Sequence, residues 1–383
     1  MSDVATTAGV TSTSGRRLVS RTRARGLVTR PAQELHAFPS RWSRIGLLAL
    51  AAVAIVLPFQ LADDWLQVLT VCGCFAIAAI GLNLLSGFTG QVSLGHAFFL
   101  AVGGYVAANI GDKLGMPLVV WILAAAVIGA ALGALIGPFA LRLQGNYLAI
   151  ITIALLFLSE YLFKKFTNIT GGGGNLGVDA PISIGPVDFA KLDAIGFTSR
   201  SQGVFWLVWG MVALSALLAR NLVRSRAGRA MRAVRDRDLA AEVIGVSLFR
   251  YKLGAFAVSS AFAGVGGALY LGVVQRNISA SSVSGIQGFV LSITFVAIII
   301  AGGMGSVSGS IIGALIVQGL PQVLQTQAGL LPFVGDGKAI TLTSFNNLLF
   351  GVLIVVFLLF EPDGIAAMWH RTRTRLASWP FST

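Results

Sequence analysis

The chain has 383 residues, of which 55% are hydrophobic and only 11% are charged, and its mean hydropathy is +0.81. A soluble globule of this length could not bury so much apolar surface, so the composition excludes a soluble fold and indicates a membrane protein. The net charge of +13 is spread over separate connections without interleaved aromatic residues, which argues against a nucleic-acid partner.

Ten apolar runs are long enough to cross about 30 Å of hydrocarbon as helices of about 20 residues. The Gly-rich junctions near 87–95 and 302–309 allow a broken or re-entrant helix to replace a clean crossing. No stretch shows the period-two alternation of a membrane β-barrel, so the sequence predicts an all-α, polytopic transmembrane helix bundle. The runs lie at 45–62, 65–86, 91–111, 117–140, 146–163, 204–220, 253–275, 286–303, 309–325 and 345–360.

Residues 45–362 are therefore predicted to form the transmembrane domain, with a large basic loop at about 221–252. Residues 1–44 are rich in Ser, Thr and Arg and predict a disordered basic arm resting on anionic lipid, although their composition also fits an organellar transit peptide. Residues 363–383 form a tail. The segments 1–44, 220–252 and 361–383 and the turn at Arg142 hold 21 of the 28 basic residues but only 7 of the 15 acidic ones. Because basic residues are retained in the cytoplasm, we expect a multi-pass cell-membrane protein with both termini cytoplasmic.

Sequence motifs for catalysis and ATP binding are missing. There is no G-x-x-x-x-G-K-[ST] loop, no H-E-x-x-H pair, and only three histidines, at positions 36, 96 and 370. The chain is therefore predicted to be no enzyme, with neither catalytic nor metal-binding residues. Glu160 is the one candidate for an ion-coupling carboxylate within a span, but Lys164 lies one helical turn away and favours a surface ion pair.

A charged segment, GRAMRAVRDRDLAAEVIGV at 228–246, interrupts the apolar runs. Asp238 is placed to cap the N-terminus of a short helix at 238–244, and Gly245 is placed to end it. Leu239, Val243 and Val246 recur at helical spacing and predict a narrow apolar ridge.

Ala240 and Ala241 keep the surface beside this ridge thin. Such a helix suits insertion into a groove on another protein. An amphipathic linker lying on the membrane surface fits the same pattern, and the residues alone do not decide between these interpretations.

The same segment, continued by YKLGAFAVSSAFAGVGGALY (251–270), resembles the coupling segment of LivM-type permeases, the membrane subunits of branched-chain amino acid ABC importers. Four further stretches resemble motifs of that family in the same order. The wider importer group carries Glu where this chain has Leu239. The four stretches are GLNLLSGFTGQVSLGHAFFLAVGGY (81–105), GNYLAIITIAL (145–155), AGGMGSVSGSIIGA (301–314) and LFEPDGI (359–365).

The resemblance implies a pathway subunit for branched-chain amino acids. Its implied partners are a second, LivH-like permease, two cytoplasmic nucleotide-binding subunits that use ATP and Mg²⁺, an extracytoplasmic solute-binding protein and membrane lipid. The chain itself is expected to bind no cofactor. The residues expected to couple it to the ATPases are Arg235, Asp236, Asp238, Leu239, Ala240, Ala241, Val243 and Gly245.

Other functions stay open on the sequence. Urea and short amides use closely similar permeases, and an ATP-independent facilitator or channel would not need the segment 228–246. A membrane-embedded enzyme would need a cluster of polar residues at one depth, and only Asn83, Ser93 and His96 are available.

A repeated motif points to the transport pathway. GFTGQVS (87–93) and GGMGSVS (302–308) share G-x-x-G-x-V-S, one in each half of the chain. Gly-interrupted apolar segments at corresponding positions are typical of repeats whose unwound backbone lines a site or gate. Alternatively, the small residues only let helices approach closely. The candidate pathway residues are Gly87, Gly90, Gln91, Ser93, His96, Gly302, Gly303, Gly305 and Ser306.

Overall fold

The computed structural model describes residues 56–141, 147–184, 187–189 and 199–326, together with scattered positions between 345 and 368. These residues belong to one compact unit, Val53–Thr383. The predicted basic arm at 1–44 lies outside the described residues, as do most of the apolar runs at 45–62 and 345–360 and most of the predicted tail.

Helices make up nearly all of the described secondary structure, which confirms the all-α class. Three of them are extended at their C-terminal ends by wider, π-helical turns, at Asn83–Gly87, Ala107–Lys113 and Tyr270–Gln275. In chain order the helices are α1 (Asp63–Leu82), α2 (His96–Val106), α3 (Leu118–Leu141), α4 (Tyr147–Lys165), α5 (Thr167–Thr170), α6 (Arg200–Arg224), α7 (Arg226–Asp236), α8 (Asp238–Val243), α9 (Leu248–Leu269), α10 (Ala280–Val283), α11 (Gly285–Gly302), α12 (Val307–Val317) and α13 (Gly319–Thr326).

Five helical segments in the described part of the chain are long and apolar enough to cross a membrane, and a shorter apolar one follows at Val307–Pro321. The polytopic membrane fold is thereby confirmed. The count of ten crossings includes runs outside the described residues and stays a prediction. The five segments are Asp63–Gly87, Leu118–Phe139, Arg200–Arg224, Leu248–Gln275 and Ala280–Gly302.

Short strands join two of the connections at one end of the bundle. β1 (Asn175–Gly177) pairs antiparallel with β4 (Asn277–Ser279), with Leu176 opposite Ile278. β2 (Ser183–Ile184) pairs with β3 (Val187–Asp188). The pairing of β1 with β4 ties the connection after α5 to the end of α9.

The centre of the bundle is formed by α1, α2 and α9. Helix α9 packs against α1, α2 and α3, and the apolar part of α1 is buried along almost its whole length. Close approach depends on glycine: a Cβ at Gly103 would collide with the Gly264 carbonyl, and one at Gly267 with the Leu100 carbonyl. Small residues bring helix backbones together where lipid supplies no hydrophobic force between helices.

Candidate functional site

The large basic loop at about 221–252 contains two helices, α7 and α8, which are separated by one residue with an extended backbone. Ser225 caps α7 through its Oγ, which accepts a hydrogen bond from the Gly228 N–H at 3.3 Å. Gly228, Met231 and Val234 form the buried face of α7, and Arg237, with φ −157° and ψ 105°, separates α7 from α8. An exposed row of arginines follows the same spacing along α7, at positions 226, 229, 232 and 235.

Helix α8 begins differently from the prediction. Asp238 is its first residue rather than its cap, Arg237 precedes it, and no side chain caps the helix. The Asp238 Oδ2 instead accepts a hydrogen bond from the Lys252 Nζ at 2.6 Å, because the ammonium group on α9 offers a charged partner. The Asp238 side chain is 47% exposed and the Lys252 side chain is 25% exposed, so the ion pair contributes about 0 to 1 kcal/mol to the stability of the fold. It joins the start of α8 to α9.

Helix α8 ends as predicted, at Gly245. The φ of Gly245 is +87°, which a glycine adopts without a steric penalty. Its N–H donates to the Glu242 carbonyl at 2.9 Å, and the Val246 N–H donates to the Ala241 carbonyl at 2.9 Å. These two hydrogen bonds are the Schellman motif, which turns the chain sharply out of a helix.

Helix α8 and the residue that follows it present an exposed apolar ridge. We define this α8 ridge as Leu239, Val243 and Ile244. Their exposed fractions are 80%, 87% and 75%. Val246 was predicted to belong to this ridge, which is wrong because it follows the reversal at Gly245 and is half-buried. Ile244 takes its place.

The two alanines of α8 lie on different faces. Ala240 is exposed, whereas Ala241 is only 2% exposed. Helix α8 packs on α7 and α9, so Ala241 belongs to the face that packs on the chain itself. The expectation that both alanines border the exposed ridge is therefore wrong for Ala241.

Both G-x-x-G-x-V-S segments interrupt helices. The first separates the turn that ends α1 from the start of α2 at His96, and the second separates α11 from α12. Gly90, Gly303 and Gly305 have φ values of +71°, +112° and +83°, which L side chains rarely adopt. We call residues 87–95 the first break and residues 302–306 the second break.

Asn83, in the π-helical turn that leads into the first break, hydrogen-bonds to the second break, which is more than 200 residues away in the chain. This side chain is 1% exposed. Its Oδ1 accepts from the Gly305 N–H at 2.8 Å, and its Nδ2 donates to the Ser306 carbonyl at 2.9 Å and the Ser310 Oγ at 2.7 Å. Asn83 was predicted only as one of three polar residues within the spans and not as a site residue. A buried amide in an otherwise apolar span was the signal that could have identified it.

Arg235, the tenth residue of α7, reaches the same place. Its Nη1 donates a hydrogen bond to the Gly87 carbonyl. A Cβ at Gly305 would lie 3.0 Å from that Nη1, and a Cβ at Gly90 would lie 3.5 Å from the Arg235 Cγ. Asp236, the next residue, is exposed. The structure thus joins one predicted coupling residue to three of the predicted pathway residues.

Gln91 and Ser93 lie inside the first break, and both are buried. The Gln91 Nε2 donates to the Thr89 Oγ1 at 3.0 Å and to the Lys252 carbonyl at 3.2 Å. Lys252 also pairs with Asp238. The first break is therefore connected to the start of α8 through one residue of α9.

His96 and Gly302 have packing contacts. The His96 Nε2 lies 2.9 Å from the Ala78 carbonyl oxygen, and its ring meets the Phe295 ring edge-on at 5.2 Å between centroids. A Cβ at Gly302 would collide with the Gly309 carbonyl, so this glycine lets α11 and α12 approach closely.

Glu160 forms the surface pair that the sequence predicts. The Lys164 Nζ lies 2.7 Å from the Glu160 Oε1, and the two side chains are 50% and 34% exposed, respectively. Within the described residues, no group of three His, Cys, Asp or Glu side chains is placed to hold a metal ion.

A family model described as branched-chain amino acid transport system, permease component, matches residues 65–358. The high-affinity branched-chain amino acid transport system permease protein LivM of Salmonella typhimurium is 27% identical over 339 residues, covering 85% of this chain and 75% of that protein.

Two further relatives show how broad the similarity is. The permease protein LivH of the same-named system in Escherichia coli K12 is 25% identical over 308 residues, covering 77% of this chain and 92% of LivH. The ribose import permease protein RbsC of Escherichia coli K12 is 28% identical over 284 residues, covering 72% of this chain and 82% of RbsC. No solved structure matches this chain.

Proposed function

Because the chain belongs to the permease family of branched-chain amino acid transport systems, we propose that it forms the transmembrane pathway of an ATP-driven importer. The sequence contains no phosphate-binding loop, so hydrolysis is assigned to partner subunits that bind ATP and Mg²⁺. The proposed solute is a branched-chain amino acid delivered by an extracytoplasmic binding protein.

The α8 ridge is the observation that carries this proposal. Burying each of its aliphatic side chains in a partner would stabilise the complex by about 1.5 to 3 kcal/mol. The Asp238–Lys252 ion pair and the Gly245 turn hold both ends of α8 in place. Binding therefore costs little conformational entropy in this helix. The ridge therefore suits a preformed groove in a nucleotide-binding subunit.

The charges of α8 favour a protein groove over a lipid surface. Asp238 and Glu242 are the only charged residues of the helix, and both are exposed. Helices that lie on anionic membranes are rich in Lys and Arg on their polar face, and acidic residues are repelled there. The excess of basic residues in the large loop and the terminal segments supports a cytoplasmic position for α8, where ATP is available.

The proposed assembly contains a second, LivH-like permease beside this chain. The similarity to both LivM and LivH supports a pair of related permeases. The two breaks lie close to α7 and α8. Closure of the ATPases on ATP would displace α8, and this displacement would act on the neighbouring unwound backbone of both breaks. Urea, short amides and, given the similarity to RbsC, ribose are the alternative solutes to be tested.

The docking test places charges on the ridge. Leu239→Asp combined with Val243→Asp is expected to reduce co-purification of both nucleotide-binding subunits at least tenfold, because buried unpaired carboxylates oppose docking. Ile184→Asp is the matched control, since Ile184 in β2 is 42% exposed and lies away from α8. Undiminished co-purification with the ridge variant would contradict ATPase docking and favour a facilitator.

A further inference from the structure

The guanidinium of Arg235 lies where three distant segments of the chain meet. Its Nη1 donates a hydrogen bond to the Gly87 carbonyl of the first break and lies close to Gly305 of the second, and the aliphatic part of the side chain lies beside Gly90. Asn83, the first residue of the π-helical turn that leads into the first break, hydrogen-bonds to Gly305 and Ser306 of the second break. Only Asp236 and Arg237 separate Arg235 from the start of α8.

Glycine at two of these positions is required by close approach. A Cβ at Gly87 would lie 2.5 Å from the Gly305 nitrogen, which no real side chain tolerates. At Gly305 the φ of +83° and the nearby Arg235 Nη1 both oppose a side chain. The glycines thus leave the space in which the Arg235 guanidinium reaches the Gly87 carbonyl of the first break beside Gly305 of the second.

The chemistry of this contact suits arginine. Gly87 ends the π-helical turn after α1, where carbonyl groups lack helical partners and carry partial negative charge. A guanidinium offers several donors in a rigid plane, so it can bond one carbonyl while packing against a second segment. A lysine ammonium on a flexible stem cannot reproduce that arrangement.

Neighbouring arginines of α7 have a different role. The Arg229 Nη1 donates to the Arg224 carbonyl, and the Arg232 Nη2 donates to the Val223 carbonyl, each at 3.2 Å. Both carbonyls belong to the last turn of α6, so these bonds hold α7 on α6. Among the α7 hydrogen bonds in the described part of the chain, the Arg235 bond is the one that reaches a break.

We propose that Arg235 is a positioning residue that holds both breaks to the coupling segment, so that a displacement of α8 reaches the two breaks together. This rests on the proposed function for its role in transport, but the contact itself exists in the chain without partners. Loss of the guanidinium should leave ATPase docking intact, because the α8 ridge is elsewhere. It should loosen the breaks and uncouple hydrolysis from uptake.

The first test measures the breaks alone. Ser93→Cys provides a thiol that is buried in the first break, and the native Cys72 and Cys74 are buried in α1. With the full-length chain in inside-out vesicles, Arg235→Gln is expected to raise the labelling rate by an impermeant maleimide about fivefold, the effect of losing one hydrogen bond. Arg226→Gln, which removes the same charge from an exposed position on the same helix, should leave the rate unchanged. Equal rates in the two variants would overturn the proposal.

The second test uses the reconstituted complex. Arg235→Gln should retain the nucleotide-binding subunits and their ATPase activity while solute uptake per ATP falls about fivefold, and Arg235→Lys should restore little of it. Loss of the ATPase subunits from Arg235→Gln would make Arg235 a docking residue and overturn the proposal. If the wild-type complex itself imports nothing, the proposed function fails, and the labelling test still decides the role of Arg235.

Discussion

Gly245 shows how one backbone angle shapes the candidate coupling segment. Its φ of +87° permits the two hydrogen bonds that end α8, and a Cβ there would meet no atom within 4 Å. A substitution at this position therefore acts through the backbone conformation rather than through a steric clash.

Gly245→Val is expected to cost on the order of 1 kcal/mol or more, because a β-branched residue resists a positive φ. The chain leaving α8 must then change direction, so the complex should keep its ATPase subunits but transport less solute per ATP. Gly245→Asn is the control, since asparagine tolerates the left-handed region. The measurement is the ratio of uptake to hydrolysis in proteoliposomes, and equal ratios for the valine variant and wild type would contradict this account.

Residues whose role depends on neighbours along the chain were predictable. The end of α8 at Gly245 and the exposure of Leu239 and Val243 follow from the residue types and their spacing along the helix, and the structure agrees. The partners of Asp238 and Asn83 were not predictable, because they lie 14 and more than 200 residues away. A single sequence carries no signal for such pairs.

At the scale of elements, hydropathy located the helices better than their interruptions. The predicted run at 65–86 corresponds to Asp63–Gly87, whereas the run at 91–111 begins as a helix only at His96. The run at 309–325 is divided between α12 and α13. Apolar composition continues across a break in the backbone, so hydropathy does not show where a helix stops, whereas the Gly-rich junctions near 87–95 and 302–309 did indicate both breaks.

Helix α8 illustrates a second limit. Periodicity divides its side chains into two faces but does not say which face packs on the chain, so Ala241 was placed on the wrong one. Because Ala240 is exposed and Ala241 is buried, substitution by tryptophan is expected to have different effects at the two positions.

Ala241→Trp is expected to destabilise the purified chain by about 1 to 3 kcal/mol, because it overpacks a buried site between α8 and its neighbours. Ala240→Trp adds the same bulk to the exposed face, so it should leave the unfolding temperature unchanged and weaken ATPase co-purification instead. Thermal unfolding in detergent and co-purification are measured for both variants. A lowered unfolding temperature in Ala240→Trp would show that its face also packs on the chain.

At the scale of the whole molecule, the two copies of the repeated motif, one from each half of the chain, lie close together. The repeated G-x-x-G-x-V-S motif appears once in each half, and Asn83 and Arg235 bring both copies next to the basic segment. The sequence showed the repeat and the charge asymmetry separately, but only the fold places them together. This arrangement is what a subunit needs if force applied at α8 is to reach both halves of a pathway.

ATP-dependent uptake by the reconstituted complex tests the central claim most directly. Proteoliposomes containing this chain, its permease partner and both nucleotide-binding subunits receive ATP on the side of α7 and α8 and the loaded binding protein on the other. We expect leucine to accumulate against its gradient only when ATP and Mg²⁺ are present, and urea and ribose to accumulate far less. Leucine flux that equilibrates without ATP, or the absence of any ATP-driven flux, would contradict the account.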